Sequence, residues 1–367
     1  MTIYNILPIL SIEGDEMDKN KIAINFGKRL RSARKMAGLS MEDLAKKSGG
    51  IITKQSISKY EQGLMKPSSD VIIRLAEALG VKPEYFYRKK STELSNMQFR
   101  KRADLPLKTL ESLKQRTIDF LERYIELENI LGISDRFENP LKGYTIESLE
   151  DVEKAASELR KAWNLGLSPI YNLLELLEEQ GIRVYEVRNI DDFDGLSARV
   201  GDIRVIVINK DLPTDRIRFT AAHELAHILC EFPHNKHKEK LCHTFAGAFL
   251  FPKEAMEKEL MRKRKQISIW ELEELKKIYG ISMQAIVKRA NILGIVSDFY
   301  YRNFQAMLKQ KGWKKEEPVE YEGREEAIRF SQLLHYAVNE EIVTLSRGAE
   351  LANKSLMDLR KEVKAAV

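Results

Sequence analysis

The run His223-Glu224-Leu225-Ala226-His227 lies inside a stretch, Arg216 to Cys230, whose composition favours a helix. Helical residues four apart share a face, so the two imidazoles can converge on one metal ion. The acid between them is then placed to act on a bound water. The chain holds only six histidines, which makes a chance occurrence improbable. A catalytic ion of this kind also needs a third protein ligand and one open position.

Glu231, His234, His237, Glu239 and His243 all follow closely and compete for the third place. Periodicity separates them. Cys242, Phe245, Ala246 and Phe249 form the apolar side of the next helix, and Glu239 stands three residues before Cys242 on that side. A carboxylate on a core face needs a partner, which a metal supplies, so Glu239 is the expected ligand. His243, one turn after Glu239, is expected beside the site in a supporting or transition-state role. His234 and His237 fall in a loop rich in Pro, Asn and Lys and read as exposed. Cys230 and Cys242 read as small buried hydrophobes rather than ligands. Two histidines and a glutamate suit Zn2+, and manganese or iron as well. Glu224 then reads as a general base that takes a proton from water attacking a peptide carbonyl and returns it to the leaving nitrogen.

The formal net charge of +6 over 367 residues is unevenly spread. From Met17 to Lys90 there are 17 Lys and Arg against 7 Asp and Glu, which leaves 44 against 48 for the rest. A small basic segment on a mildly acidic body suggests that only the first part meets a polyanion. No apolar run is long enough for a membrane span, and Ile6 to Ile12 lacks the basic flank and cleavage site of a leader. With two cysteines unable to build a disulfide framework, a cytoplasmic protein is expected.

Residues 1 to 16 show no clear helical period, and Met17 reads as an alternative start. Helical patterns cover Leu107 to Ile130, Thr145 to Trp163 and Ser168 to Gln180, the last with Pro169 in its first turn. Ile182 to Val187, Leu196 to Val200 and Ile203 to Ile208 are β-rich, with Gly201-Asp202 as a hairpin turn. The run Ile203 to Ile208 is expected at a sheet edge, where an extended substrate could pair. Helices resume at Thr214 to Cys230 and Lys238 to Phe251, and Ile267 to Leu293 reads as two helices around Gly280-Ile281-Ser282, better taken as part of the same fold than as a second DNA-binding unit. Asn303 to Glu322 reads as a polar link to a last helical piece, Glu325 to Val363, in which His335 is structural. The expected division is an extension at 1–20, a DNA-binding domain at 21–88, a linker and connecting helix at 89–144, a catalytic domain at 145–300 and a helical region at 301–367.

In the basic segment, Phe26, Leu30 and Ala33 give Ile24 to Met36 one apolar face, and Ser40 begins a second helix through Leu44 and Ala45. A third helix starts at Thr53 and is closed by Gly63. Ile57 and Tyr60 would face its core, leaving Thr53, Lys54, Gln55, Ser56, Ser58 and Lys59 as candidates for contact with double-stranded DNA. A fourth, Ser68 to Leu79, buries Ile72, Leu75, Ala76 and Leu79.

Gly38-Leu39-Ser40, Leu44-Ala45, Ile57-Ser58-Lys59-Tyr60-Glu61-Gln62-Gly63 and Leu75-Ala76-Glu77-Ala78-Leu79-Gly80-Val81 resemble the Xre-type, phage-repressor-like helix-turn-helix family. Met41 stands where that family usually has Gln or Thr, and Gly49-Gly50-Ile51 lengthens the turn before the recognition helix. The residues Leu159 to Gly166, Pro169 to Leu173, Leu177 to Ile182, Arg218 to Ala222 before the histidines, and Glu239 through Phe245-Ala246 to Pro252 resemble the ImmA/IrrE family of zinc peptidases. That resemblance implies a zincin-like metallopeptidase in which the acid matching Glu239 completes a gluzincin-like site of two His and one Glu. Cys242-His243 stand where the family commonly has Ala-Asn. The implied fold is mainly α with a small β-sheet: an all-α helix-turn-helix domain, an α+β metallopeptidase domain, then C-terminal helices.

Three functions follow from these readings. The first is a DNA-binding transcriptional regulator whose peptidase cleaves a specific protein partner such as a repressor. The second is a non-proteolytic regulator or antitoxin, paired with a toxin or carried by a mobile element, whose zinc domain is a sensor or scaffold. The third is a peptidase whose first domain binds protein only. Helix-turn-helix regulators often act as dimers on two half-sites, so a homodimer is an expected state.

Overall fold

In a computed structural model of the chain, residues 10–88, 91, 94–99, 105–133, 137–232, 237–314 and 316–365 are described. The described residues within 1–96 and 103–125 form one compact unit, and those within 97–102 and 126–367 a second.

The first unit holds α1 (Leu10–Met36), α2 (Met41–Lys47), α3 (Lys54–Glu61), α4 (Ser69–Leu79), a 3-10 turn over Pro83–Tyr87, and α5 (Leu107–Ile130) as far as Ile125. Helix α1 starts well before Ile24, where the apolar period begins; helix formation does not require a periodic apolar face, so periodicity marked only the part that packs. Ser40 caps α2 in a reciprocal box with Asp43, and Thr53 caps α3 by accepting from Ser56 N. Gly49 and Gly50 both take left-handed φ, 82° and 71°, with open space where a Cβ would be, so the lengthened turn depends on backbone freedom. Phe26, Leu30, Leu44, Ile57, Leu75 and Phe86 meet in one core. At about 1.5–3 kcal/mol for each large apolar side chain, that cluster accounts for the folding of these short helices. Helix α5 is bonded to this core: Arg29 Nη1 donates to Glu122 at 2.6 Å, and Ser112 donates to Met36 O at 2.6 Å.

The second unit contains β1 (Gln98–Phe99), α6 (Leu149–Ala162), α7 (Leu173–Glu179), β2 (Ile182–Val187), β3 (Gly195–Val200), β4 (Ile203–Asn209), α8 (Thr214–Leu229), α9 (Lys238–Leu250), α10 (Lys253–Leu260), α11 (Ile269–Tyr279), α12 (Met283–Ile292), α13 (Asp298–Gln310), α14 (Arg329–Asn339), α15 (Leu345–Leu351) and α16 (Leu356–Ala365). The sheet order is β1-β3-β4-β2. Strands β3 and β4 form the expected hairpin, with Val200 paired to Ile203 across Gly201-Asp202, and β2 runs parallel to β4. Strand β4 is therefore internal, which overturns the expected substrate edge at Ile203–Ile208: both of its sides are taken. Its run of buried residues, Val205 to Asn209, is what a central strand covered on both faces requires. Helix α8 packs against β3 and β4, and α9 against α8 and α6.

Three segments depart from the sequence patterns. Helix α6 starts at Leu149 rather than Thr145, because Ser148 and Asp151 form a capping box there and Thr145 bridges to Glu231. Helix α7 starts at Leu173 rather than Ser168: Asn172 caps it, and the carbonyls of Ser168 and Ile170 accept from the buried guanidinium groups of Arg160 and Arg218. The polar link expected over Asn303–Glu322 is helical as far as Gln310. Beyond it, residues 317–328 are non-helical and anchored by two acids. Glu317 accepts from Lys276 at 2.9 Å and from the N–H groups of Met283 and Gln284, and Glu325 accepts from Arg218 at 2.5 Å and Leu174 N at 2.6 Å. Glu317 thus covers the first backbone N–H groups of α12.

Candidate metal centre and DNA-reading helix

Helix α8 buries Ala221, Ala222, Leu225 and Ala226, and this fixes the rotation that brings His223 and His227 to one side. Their Nε2 atoms lie 3.2 Å apart. Glu239, in the first turn of α9, places Oε2 at 3.3 Å from His223 Nε2 and 3.7 Å from His227 Nε2. Zinc bonds of about 2.0–2.1 Å at tetrahedral angles put ligand atoms roughly 3.3–3.4 Å apart, so this triangle has the size of one face of a zinc coordination shell. The donor set of two imidazoles and a carboxylate has the matching chemistry.

The histidines are nearly buried, whereas the Glu239 side chain is 57% exposed. The premise that Glu239 sits on a core face is thus corrected. Cys242, Phe245, Ala246 and Phe249 are buried as expected, but the first turn of α9 projects beyond that core and meets the histidines at the surface.

Glu224 is 1% exposed, and Ser197 Oγ on β3 donates to its Oε2 at 2.8 Å. His243 is exposed and lies between Phe219, stacked at 5.9 Å, and His223, at 4.3 Å between centroids. His237 is exposed ahead of α9, and Glu231 is exposed with its backbone bonded to Tyr144 and Ile146. His234 lies outside the described residues. Cys230 is buried, which pushes its thiol up to about 12. Cys242 is also buried, and its Sγ lies 3.6 Å from His227 Nδ1, on the far side of the ring from the ligand triangle.

On α3, Ile57 and Tyr60 are buried, and Thr53, Lys54, Gln55 and Lys59 are exposed. Ser56 and Ser58 are half-buried and already engaged, Ser56 with the Thr53 hydroxyl at 3.0 Å and Ser58 with Gln62 at 3.2 Å. The C-terminal end of α3 is held by Arg34, which grips both oxygens of Glu61 at 2.6 and 2.8 Å.

Residues 30–86 match the family described as helix-turn-helix, and residues 177–291 match a peptidase family described as the IrrE N-terminal-like domain. The chain joins a helix-turn-helix domain to an IrrE N-terminal-like domain. The first match spans the end of α1 through the 3-10 turn after α4, and the second runs from the end of α7 through most of α12, taking in His223, His227 and Glu239. Two similar proteins from strains of Mycobacterium tuberculosis are each named an uncharacterized HTH-type transcriptional regulator; both are 43% identical over 61 residues. That match covers 17% of this chain and 42% of each relative. The helix-turn-helix domain is of the DNA-binding, transcription-regulating type. Among the described residues, no helix is long and apolar enough to cross a membrane.

Three residues lay outside the sequence reading of the sites. Ser197, Arg218 and Gly27 meet partners distant in sequence. Gly27 lies where α1 crosses α3; a Cβ there would stand 2.4 Å from Tyr60 O. The one visible signal was Arg218, a charged residue inside an otherwise apolar helix face.

Proposed function

We propose that this chain is a DNA-binding transcriptional regulator whose IrrE-like domain is a zinc-dependent peptidase acting on a specific protein, such as a repressor. The observation that carries the peptidase reading is the triangle of His223, His227 and Glu239, with Glu224 buried one residue along from the first ligand. A zinc ion held there would supply Lewis acidity toward a peptide carbonyl and make a bound water more acidic. Glu224 takes the proton of the attacking water and passes it to the leaving nitrogen. Ser197 fixes the carboxylate of Glu224 through Oε2. Glu239 stands at the exposed edge of the site. His243 stands next to His223, 4.3 Å between ring centroids. We place the catalytic domain at 145–300 and the protein in the cytoplasm, with a homodimer as the DNA-binding form.

Elemental analysis of the purified protein is the first test, with His227→Ala and Glu239→Ala beside it. About one zinc per chain, lost in both variants, supports the site. A folded chain that holds no metal sinks the peptidase reading.

A second reading is a non-proteolytic regulator or antitoxin with the zinc domain as sensor or scaffold. Glu224→Gln discriminates: it abolishes output if proteolysis is the function and leaves it unchanged if the domain is a sensor.

A further inference from the structure

Cys242 is fully buried on α9, three residues after Glu239. Its Sγ lies 3.6 Å from Nδ1 of His227. The opposite ring nitrogen, Nε2, faces His223 Nε2 at 3.2 Å and Glu239 Oε2 at 3.7 Å. The two ends of one imidazole are therefore divided, Nε2 toward the ligand triangle and Nδ1 toward sulfur. We propose that Cys242 is a positioning residue for the metal centre: its sulfur accepts the Nδ1–H of His227 and so holds the tautomer whose Nε2 lone pair is turned to the ion. The inference rests on the reading of His223, His227 and Glu239 as a metal site.

The argument is one of tautomers. A neutral imidazole carries one N–H and one acceptor nitrogen. A thiol that donated to Nδ1 would leave the proton on Nε2, and that nitrogen could not ligate. An ion at Nε2 selects the other arrangement, in which Nδ1–H donates and sulfur accepts. Metal-bound histidines almost always give their second N–H to a carboxylate, a carbonyl or water, and losing that partner typically costs 10–100-fold in metal affinity. Here a polarizable sulfur takes that place. Helix α9 thus supplies one ligand, Glu239, and orients another, His227, that belongs to α8.

The test is zinc affinity of the full chain by competition with a chromophoric chelator, with thermal melts of the metal-free proteins to show that each is folded. Cys242→Ala is expected to bind zinc about 10–100-fold more weakly. Cys242→Ser keeps an acceptor and retains most of the affinity. Cys230→Ala removes the other buried thiol and leaves affinity unchanged. A folded Cys242→Ala that binds zinc as tightly as the parent overturns the proposal alone; a parent chain that takes up no zinc overturns the site reading and this proposal with it. If Cys242→Ala does not fold, nitrogen-15 spectra of the zinc-loaded parent decide. A protonated Nδ1 on His227 supports the proposal, and ligation through Nδ1 overturns it.

Discussion

Ser197 on β3 donates a hydrogen bond to Glu224 on α8 at 2.8 Å, and both side chains are buried. The acid of the metal motif is thus tied to the sheet as well as to its own helix. A hydrogen bond to a charged group is worth about 1.5–3 kcal/mol, so losing it costs roughly 10–100-fold where the carboxylate's orientation matters. Ser197→Ala is expected to keep its zinc and to lower the rate of partner cleavage by that factor. Unaltered turnover in a zinc-replete Ser197→Ala would show that Glu224 is held well enough by its helix.

Arg218 and Glu325 form an ion pair at 2.5 Å with both side chains almost wholly buried. Burial raises the Glu325 carboxyl above its usual value, and the Arg218 guanidinium opposes that shift. Removing one partner leaves a buried charge uncompensated, which typically costs about 3–5 kcal/mol. Glu325→Ala should lower the unfolding free energy of the second unit, read from its denaturant midpoint, by an amount in that range, and Glu325→Gln should lower it less because the amide oxygen still accepts from Leu174 N. Equal midpoints for the parent and Glu325→Ala would refute a structural role for residues 317–328.

The elements around the metal motif were legible because their patterns are local. Thr214–Leu229 and Lys238–Leu250 have apolar faces and clear ends, and Gly201-Asp202 marks a turn. The identity of the edge strands was not, since strand order depends on which partners meet, and β2 reaches β4 only through a parallel pairing. Ser197 was invisible for a similar reason: nothing within β3 tells that its hydroxyl meets an acid 27 positions away. Glu239 was reached from an apolar face that stops short of it, so the candidate rested on a premise that the exposed first turn of α9 does not support. Polar anchors such as Glu317 escaped because a charge-rich segment reads as solvated until its buried cation is known.

Acid should weaken the start of α2. Asp43 accepts from the Ser40 side chain and backbone, and these bonds hold its carboxyl below the ordinary 3.8. With the folded value below the unfolded one, the contribution is fully present above pH ~4 and is lost as pH falls through the folded value. Carboxyl NMR of Asp43 should show a depressed midpoint that returns toward normal in Ser40→Ala. An unchanged midpoint in Ser40→Ala would assign the shift to another cause.

Gly27 permits the close crossing of α1 and α3, where an added Cβ would meet Tyr60 O at 2.4 Å and Glu61 O at 2.7 Å. Both contacts are to backbone, which cannot swing aside as a side chain would. Overpacking of this kind costs about 1–3 kcal/mol. Gly27→Ala should lower the melting temperature of the first unit and weaken DNA binding while leaving zinc content at the parental level. A melt indistinguishable from the parent would mean that α1 can shift without cost.

The side chains of α3, the proposed recognition helix, separate into two kinds. Lys54 and Lys59 are exposed cations suited to phosphates, and Gln55 is an exposed amide suited to the N6 and N7 edge of adenine. Ser56 and Ser58 already hydrogen-bond within the helix and its cap, which leaves them less able to read bases. Lys59→Gln is therefore expected to weaken binding to all duplexes alike and to make the slope of log K against log salt shallower by about one. Gln55→Ala should instead relax sequence preference by about 1–3 kcal/mol at one base pair while the salt slope stays put. Selection from a random duplex pool, followed by titration over a range of salt, measures both. If both substitutions leave preference and slope unchanged, α3 is not the helix that meets DNA.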